Sequence, residues 1–196
     1  MELAAIELYK STQNNRYLQQ AIEYGRREPV TPWMGADSAR HYQWYPFMNM
    51  GHYWLAKTEN NTRLNEEFIR NIRIGLQRTY EKARQNPFLY GIPAIWCSNN
   101  LTTAMLTQCR LYREVTRDST YEEMEASLRD WLFGCNPWGS SMIVELPLYG
   151  DYPSEPHSSY FTNNTGNATG GLVDGPVYTN IFNNLRGVNI STGETY

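Results

Sequence analysis

Apolar residues recur at helical spacing through the first two-thirds of the chain. Successive stripes place apolar side chains three and four residues apart, the spacing that puts them on one face of an α-helix. The stripe from Phe68 to Tyr80 is the longest and clearest. The six stripes begin at Ala4, Tyr17, Trp44, Phe68, Leu101 and Met124. This pattern predicts an all-α fold of about six helices.

The breaks between these stripes alternate between short and long. Each short break places a threonine at the end of a helix and then Asn or Asp, which favour turns and helix N-caps. The three threonines are Thr12, Thr58 and Thr116. The repeated short breaks predict tight αα-hairpins, and the alternation favours a toroid of helix pairs with the long loops on one face. A plain bundle or a solenoid would contain the same helices.

We interpret residues 1–196 as a single incomplete domain, with helical hairpins in residues 1–133 and long loops in residues 134–196. The first residue already lies within a helical pattern, and the last residues, VNISTGETY, are typical of a turn. The predicted helices are half the number in a closed double ring of helix pairs. We therefore expect the sequence to be part of a larger domain.

Composition narrows the classes of partner. The net charge is −3, only 19% of residues are charged, and the Lys and Arg residues are scattered, which argues against nucleic acid. No apolar run has the length of a membrane span. Aromatic residues make up 14% of the chain, including 15 Tyr and 6 Trp, and such side chains fill cores or form platforms for flat polar ligands such as sugars.

Three cysteines, Cys97, Cys109 and Cys135, form no C-x-x-C pair, so neither a disulfide framework nor a zinc site is predicted. We expect buried free thiols. The sequence also lacks the phosphate-binding and zinc-protease motifs, and we predict neither a cofactor nor a metal.

The long loops from Gly134 onward are the candidate functional region, because long loops on a rigid frame commonly carry binding residues. They contain His157, which follows Pro153 and Pro156 and has tyrosines nearby. The acids Asp151, Glu155 and Asp174 lie in the same loops and could meet a ligand.

Four segments of the chain resemble motifs of the glycoside hydrolase family 9 catalytic domain, the inverting cellulases and related β-glucanases. WCSN at 96–99 is similar to the family's W-G-S-N, and GCNPWGSS at 134–141 is similar to G-x-N-P-x-G-x-S. Pro156-His157 and GGLVDGP at 170–176 complete the set, in the family's order and spacing. The resemblance covers nearly the whole chain.

The resemblance implies that the helices form roughly half of an (α/α)6 toroid and that residues 134–196 are substrate-cleft loops. It implies that His157 lines the cleft and hydrogen-bonds a sugar, and that Trp96 and Trp138 are cleft aromatics by position. The family's commonest form follows this histidine with His and Arg, whereas this chain has Ser158 and Ser159. Because these positions contact the substrate in the family, the two serines are expected to alter those contacts and, with them, the preferred substrate.

Catalytic residues are not predicted in this chain. The family's base is an aspartate in a D-A-G-D motif upstream of the matched segments, and no D-x-G-D occurs here. Its acid is a glutamate in an N-E motif downstream, and Glu194 lies in T-G-E-T, which does not match. The resemblance therefore implies a fragment of a β-1,4-glucan hydrolase, inactive alone, whose partners are the glucan and the remaining part of its own catalytic domain. It implies an extracellular or periplasmic parent protein.

Two alternatives remain at this point. A non-catalytic glycan-binding or scaffold protein would use the same aromatic loops. A sugar epimerase on an (α/α)6 toroid would need histidine acid–base pairs in the centre of the barrel, and only His157 is well placed.

Overall fold

The computed structural model describes residues 1–37, 49–153 and 169–184, and these residues form an all-α fold. The helices are α1 (Glu2–Thr12), α2 (Asn15–Arg27), α3 (Met50–Ala56), α4 (Thr62–Ala83), α5 (Ser98–Thr116), α6 (Glu122–Leu132) and α7 (Thr179–Phe182). The predicted all-α fold is confirmed. The short helix α7 was missed, because its four residues lie in a region that reads as a loop. Residues 44–48, where the third stripe begins, lie outside the described ranges.

Neighbouring helices pack as the three predicted pairs, α1 with α2, α3 with α4, and α5 with α6. The threonine of each short break has the same role, because its hydroxyl donates to the carbonyl oxygen four residues earlier. The three bonds are Thr12 to Leu8 at 2.7 Å, Thr58 to Trp54 at 3.3 Å and Thr116 to Tyr112 at 2.7 Å. The repeat seen in the sequence is therefore a repeat of hydrogen bonding at the C-terminal ends of α1, α3 and α5.

The residue types that follow these threonines start the next helix. Gln13 and Arg117 take the left-handed conformation, at φ 57° and 63°, and turn the chain. The side chains of Asn14 and Asn61 then accept hydrogen bonds from main-chain N–H groups in the first turns of α2 and α4. Since Asn caps a helix N-terminus well, the first two breaks specify their hairpins locally, whereas α6 begins after Tyr121 without a side-chain cap.

Helix α4 contributes to two apolar clusters. Its first half packs Leu64 and Phe68 against α1, α2 and α3. Its second half packs Ile72 and Leu76 against α5 and α6. The long helix α4 thus joins the first hairpin to the third.

A polar contact joins the start of α1 to α3. It is formed by His52 of α3, which is only 1% exposed. Its Nδ1 lies 2.6 Å from a carboxylate oxygen of Glu2, and its Nε2 lies 3.0 Å from the carbonyl oxygen of Pro29. A Cβ atom on Gly51 would come within 2.6 Å of the Glu2 side chain, so the glycine leaves room for the carboxylate. This polar contact lies at the end of the helices opposite the hairpin turns.

The pairing of the helices divides the molecule into two faces. The hairpin turns lie on one face, and the other, the long-loop face, carries the N-termini of α1, α3 and α5 and the C-termini of α2, α4 and α6. Loops are common positions for binding residues on a rigid frame. Within the described ranges, no helix combines the length and apolarity needed to cross a lipid bilayer.

Candidate functional site

The turn after α6 is organised by Asn136, which is 6% exposed. Its side-chain amide donates to the carbonyl oxygens of Trp131 and Ser140, at 2.9 and 2.7 Å. Its Oδ1 accepts from the main-chain N–H of Trp138 at 3.1 Å. With Gly134 at φ 107°, these bonds close a compact turn with Trp138 on it.

Trp138 is 58% exposed and rests on buried Trp131, which packs in turn on the partly buried Tyr90 and Phe88. It contacts Trp131 edge-to-face, with ring centroids 6.0 Å apart. Trp131 in turn stacks on Tyr90 at 3.7 Å and meets Phe88 edge-on at 5.8 Å. We call these four residues the aromatic base cluster. Such ring pairs add to the stability that burial alone provides, so the exposed indole is held in a defined position.

Tyr90 is itself fixed through its hydroxyl, which lies 2.9 Å from Oγ1 of Thr102 in α5. Burial raises the pKa of the Tyr90 hydroxyl above its ordinary value, which favours the protonated form. The aromatic base cluster is thus joined to α5 as well as to α6.

Residues 170–178 are joined to the chain that follows this turn. Ile143 and Leu172 form an isolated antiparallel bridge. The flanking main-chain bonds are Val144 N–H to Gly171 O at 3.0 Å, Gly170 N–H to Val144 O at 2.9 Å and Val173 N–H to Met142 O at 2.9 Å. Two of the segments that resemble family motifs, 134–141 and 170–176, therefore lie in neighbouring parts of one structure.

The third segment, at the start of α5, holds the other side of residues 170–178. Ser98 and Asn99 are both 0% exposed. The Ser98 hydroxyl donates to Pro176 O at 2.7 Å, and the Asn99 amide side chain donates to Val173 O at 2.9 Å. The Asn99 main-chain N–H donates to Asp174 O at 3.0 Å. We call Ser98 and Asn99 the main-chain clamp, because all three acceptors are main-chain carbonyls.

Gly175 lies at the point of closest approach to the main-chain clamp. Its φ is 95°, and a Cβ atom there would lie 2.6 Å from both Ser98 Oγ and Asn99 Cγ. Only glycine combines this backbone conformation with this contact.

Trp96 and Cys97 precede the main-chain clamp on the long-loop face. The partly exposed Trp96 ring packs against Phe182 of α7, with centroids 6.4 Å apart. The N–H of Tyr178 donates to Ala94 O at 2.7 Å and holds the start of α7 beside this segment.

The Cys97 thiol lies beside the carboxylate of Asp174. Burial first, and then the negative charge of Asp174, raises the pKa of the thiol to about 11. It is therefore protonated at neutral pH and is not a nucleophile there. The expectation of buried free thiols is right for Cys109 but wrong for Cys135, which is exposed because it follows the end of α6 in the turn.

Cys97 occupies a left-handed position, at φ 59°, where the resembling family motif has glycine. We expect Cys97→Gly to raise the free energy of unfolding by about 1 kcal/mol, because a Cβ atom disfavours this conformation. Urea unfolding followed by circular dichroism would measure the change. Cys97→Ala is the control, since it removes the thiol but keeps Cβ, and a gain as large as that of the glycine variant would contradict the explanation.

The structure places two of the three predicted sugar-binding residues on the long-loop face. Trp138 belongs to the aromatic base cluster, whereas Trp96 packs on α7, so the two indoles have different supports. His157 lies outside the described residues. Sequence reasoning missed Tyr90 and Trp131 as supports of Trp138. In the described part of the chain, no group of three or more His, Cys, Asp or Glu could hold a metal ion.

Among solved structures, the chain matches a crystal structure of a metagenome-derived glycoside hydrolase family 9 endoglucanase, with a TM-score of 0.65 and 19% sequence identity. The match covers 89% of this chain and 31% of that one. It shows the fold, and the helix pairs are part of an (α/α)6 toroid. A comparison with curated proteins found no match. The chain belongs to glycosyl hydrolase family 9, whose model matches residues 1–194.

Proposed function

We propose that the chain forms one wall of the substrate cleft of a β-glucan hydrolase and is inactive alone. The intact parent would hydrolyse β-1,4-glycosidic bonds with inversion, outside the cytoplasm. The observation that supports this best is the main-chain clamp, together with the bridge at Ile143. They join three family segments that are distant in the sequence and lie on the face that presents Trp96 and Trp138.

The chemistry of sugar binding agrees with these side chains. An indole ring offers a flat apolar surface to the C–H face of a pyranose, and its N–H can donate a hydrogen bond to a sugar hydroxyl. Trp138 is suited to this role because it is exposed while its supporting ring, Trp131, is buried. In this proposal Trp96 provides a second platform and His157 donates or accepts a hydrogen bond at a sugar hydroxyl.

Bond cleavage would require groups from the remaining part of the catalytic domain. An inverting glycosidase needs an acid and a base about 6.5–9.5 Å apart, with a water molecule between the base and the sugar. No D-x-G-D occurs in this sequence, and no N-E follows the GGLVDGP segment, where the family places its acid. The partners of the chain are therefore the glucan and the rest of its own catalytic domain.

Titration with cellohexaose, followed by two-dimensional NMR of the labelled chain, tests the binding half of the proposal. We expect measurable binding, weakened about tenfold by Trp138→Ala, because stacking on an exposed indole contributes on the order of 1–1.5 kcal/mol. Phe133→Ala is the matched control. Phe133 is 49% exposed at the C-terminal end of α6, just before the turn that carries Trp138, but lies outside the aromatic base cluster. Equal loss in both variants would contradict a specific role for Trp138.

A reducing-sugar assay on soluble β-glucan tests the other half. The chain alone should give no turnover, and a full-length parent should release a product with inverted anomeric configuration, which proton NMR distinguishes. Clear turnover by the chain alone would sink the claim that the acid and base lie elsewhere.

A further inference from the structure

We propose that Asp174 is a specificity-determining residue whose carboxylate accepts hydrogen bonds from hydroxyls of the glucosyl unit stacked on Trp96. This inference rests on the proposed function. It adds a carboxylate contact to the cleft wall that presents Trp96 and Trp138. The contact would distinguish a sugar with free hydroxyls at that position from one that lacks them.

The backbone of Asp174 is fixed on both sides. Its carbonyl oxygen accepts from the Asn99 N–H at 3.0 Å, and the carbonyls of Val173 and Pro176 accept from the main-chain clamp at 2.9 and 2.7 Å. These bonds fix the backbone of Asp174 and therefore the direction of its Cα–Cβ bond. Asp174 is nonetheless exposed as a residue, so its carboxylate lies on the solvent side of the main-chain clamp.

The Asp174 carboxylate lies beside the segment of chain that carries Trp96 on the long-loop face. The Asp174 carboxylate is next to the Cys97 thiol, and Cys97 directly follows Trp96. The Trp96 ring is steadied by Phe182. An aromatic ring beside a carboxylate provides both surfaces that a pyranose needs, an apolar platform for its C–H face and an acceptor for its hydroxyls.

The carboxylate is also available to a ligand. The Cys97 thiol shares one hydrogen bond with it, and among the ion pairs of the described residues none includes Asp174. A carboxylate has about four acceptor positions, so others remain for a ligand. A hydrogen bond to an ionised acceptor is about twice as strong as one between neutral groups, so a sugar hydroxyl would gain from this contact.

The test compares cellohexaose binding by the chain and by Asp174→Asn, which keeps the size of the side chain and removes its charge. We expect the dissociation constant to rise about fivefold, in line with the loss of charge assistance. Asp130→Asn makes the same chemical change at the end of α6, where Asp130 pairs with Arg129 in solvent, and should leave binding unchanged. Thermal unfolding of both variants would show that the fold is kept.

Cys97 provides a second readout that a purely structural role would not move. In a Cys135→Ser background, Cys109 is buried, so alkylation by iodoacetamide at alkaline pH, where part of the Cys97 thiol is ionised, reports Cys97. Cellohexaose should slow this alkylation in the chain with Asp174 and slow it less in Asp174→Asn. The pKa of Cys97 should also fall in that variant, because the Asp174 charge disfavours the thiolate.

The outcomes separate the two proposals. If cellohexaose binds and Trp138→Ala weakens it, while Asp174→Asn binds as well as the unmodified chain, the role of Asp174 is overturned and the proposed function stands. If the unmodified chain shows no binding at millimolar cellohexaose, both are overturned.

Discussion

Trp131→Ala is expected to lower the free energy of unfolding by about 3–5 kcal/mol, the usual cost of truncating a buried tryptophan. Trp131 is 5% exposed and contacts three other rings, stacking on Tyr90 and meeting Phe88 and Trp138 edge-on. Its removal would leave a cavity at the junction of α6 with the following turn. Urea unfolding followed by circular dichroism would measure the loss.

The matched control is Trp138→Ala. It also truncates a tryptophan to alanine, but it removes the exposed member of the Trp131–Trp138 pair. Because Trp138 is 58% exposed, its truncation should cost about 1 kcal/mol or less. We expect both variants to bind cellohexaose weakly, but only Trp131→Ala to lose stability. Similar unfolding free energies for the two variants would refute the view that Trp131 is a buried support.

Gly175→Ala is expected to destabilise the chain by about 3 kcal/mol, through two additive causes. The backbone at φ 95° disfavours any residue with a Cβ atom, and the new atom would lie 2.6 Å from the buried Ser98 and Asn99 side chains. Residues 173–176 would be pushed away from the main-chain clamp. Hydrogen exchange at the main-chain N–H of Asn99, which donates to the carbonyl oxygen of Asp174, should therefore become faster.

Gly170→Ala separates the two causes. Gly170 also has a positive φ, 79°, but a Cβ atom there would meet nothing within 4 Å. Its substitution should cost about 1 kcal/mol, from backbone strain alone, and should leave exchange at Asn99 unchanged. If the two alanine variants cost the same, the contact with the main-chain clamp adds nothing.

The hairpins could be predicted from the sequence because their signals are local. Thr12, Thr58 and Thr116 bond to a carbonyl only four residues away, and Asn14 and Asn61 cap α2 and α4 within the same turn. Each short break therefore contains both partners of its interactions, and the residue types alone identify them.

The arrangement of the candidate site could not be predicted in the same way. The Ser98 and Asn99 side chains bond to carbonyls 78 and 74 residues further along the chain, and carbonyl acceptors have no residue-type signal. Resemblance to the family identified both segments but not the bonds between them. Trp131 was correctly placed in a helical stripe, yet its support of Trp138 depends on the turn closed by Asn136.

The main-chain clamp has a consequence for how this surface could change during evolution or in the laboratory. Because Ser98 and Asn99 hold carbonyl groups, these three hydrogen bonds do not depend on which side chain stands at position 174. A library of substitutions at that one codon would therefore sample different ligand preferences on an unchanged backbone. Neutral drift could do the same, with Gly175 as the fixed neighbour that every such variant must keep.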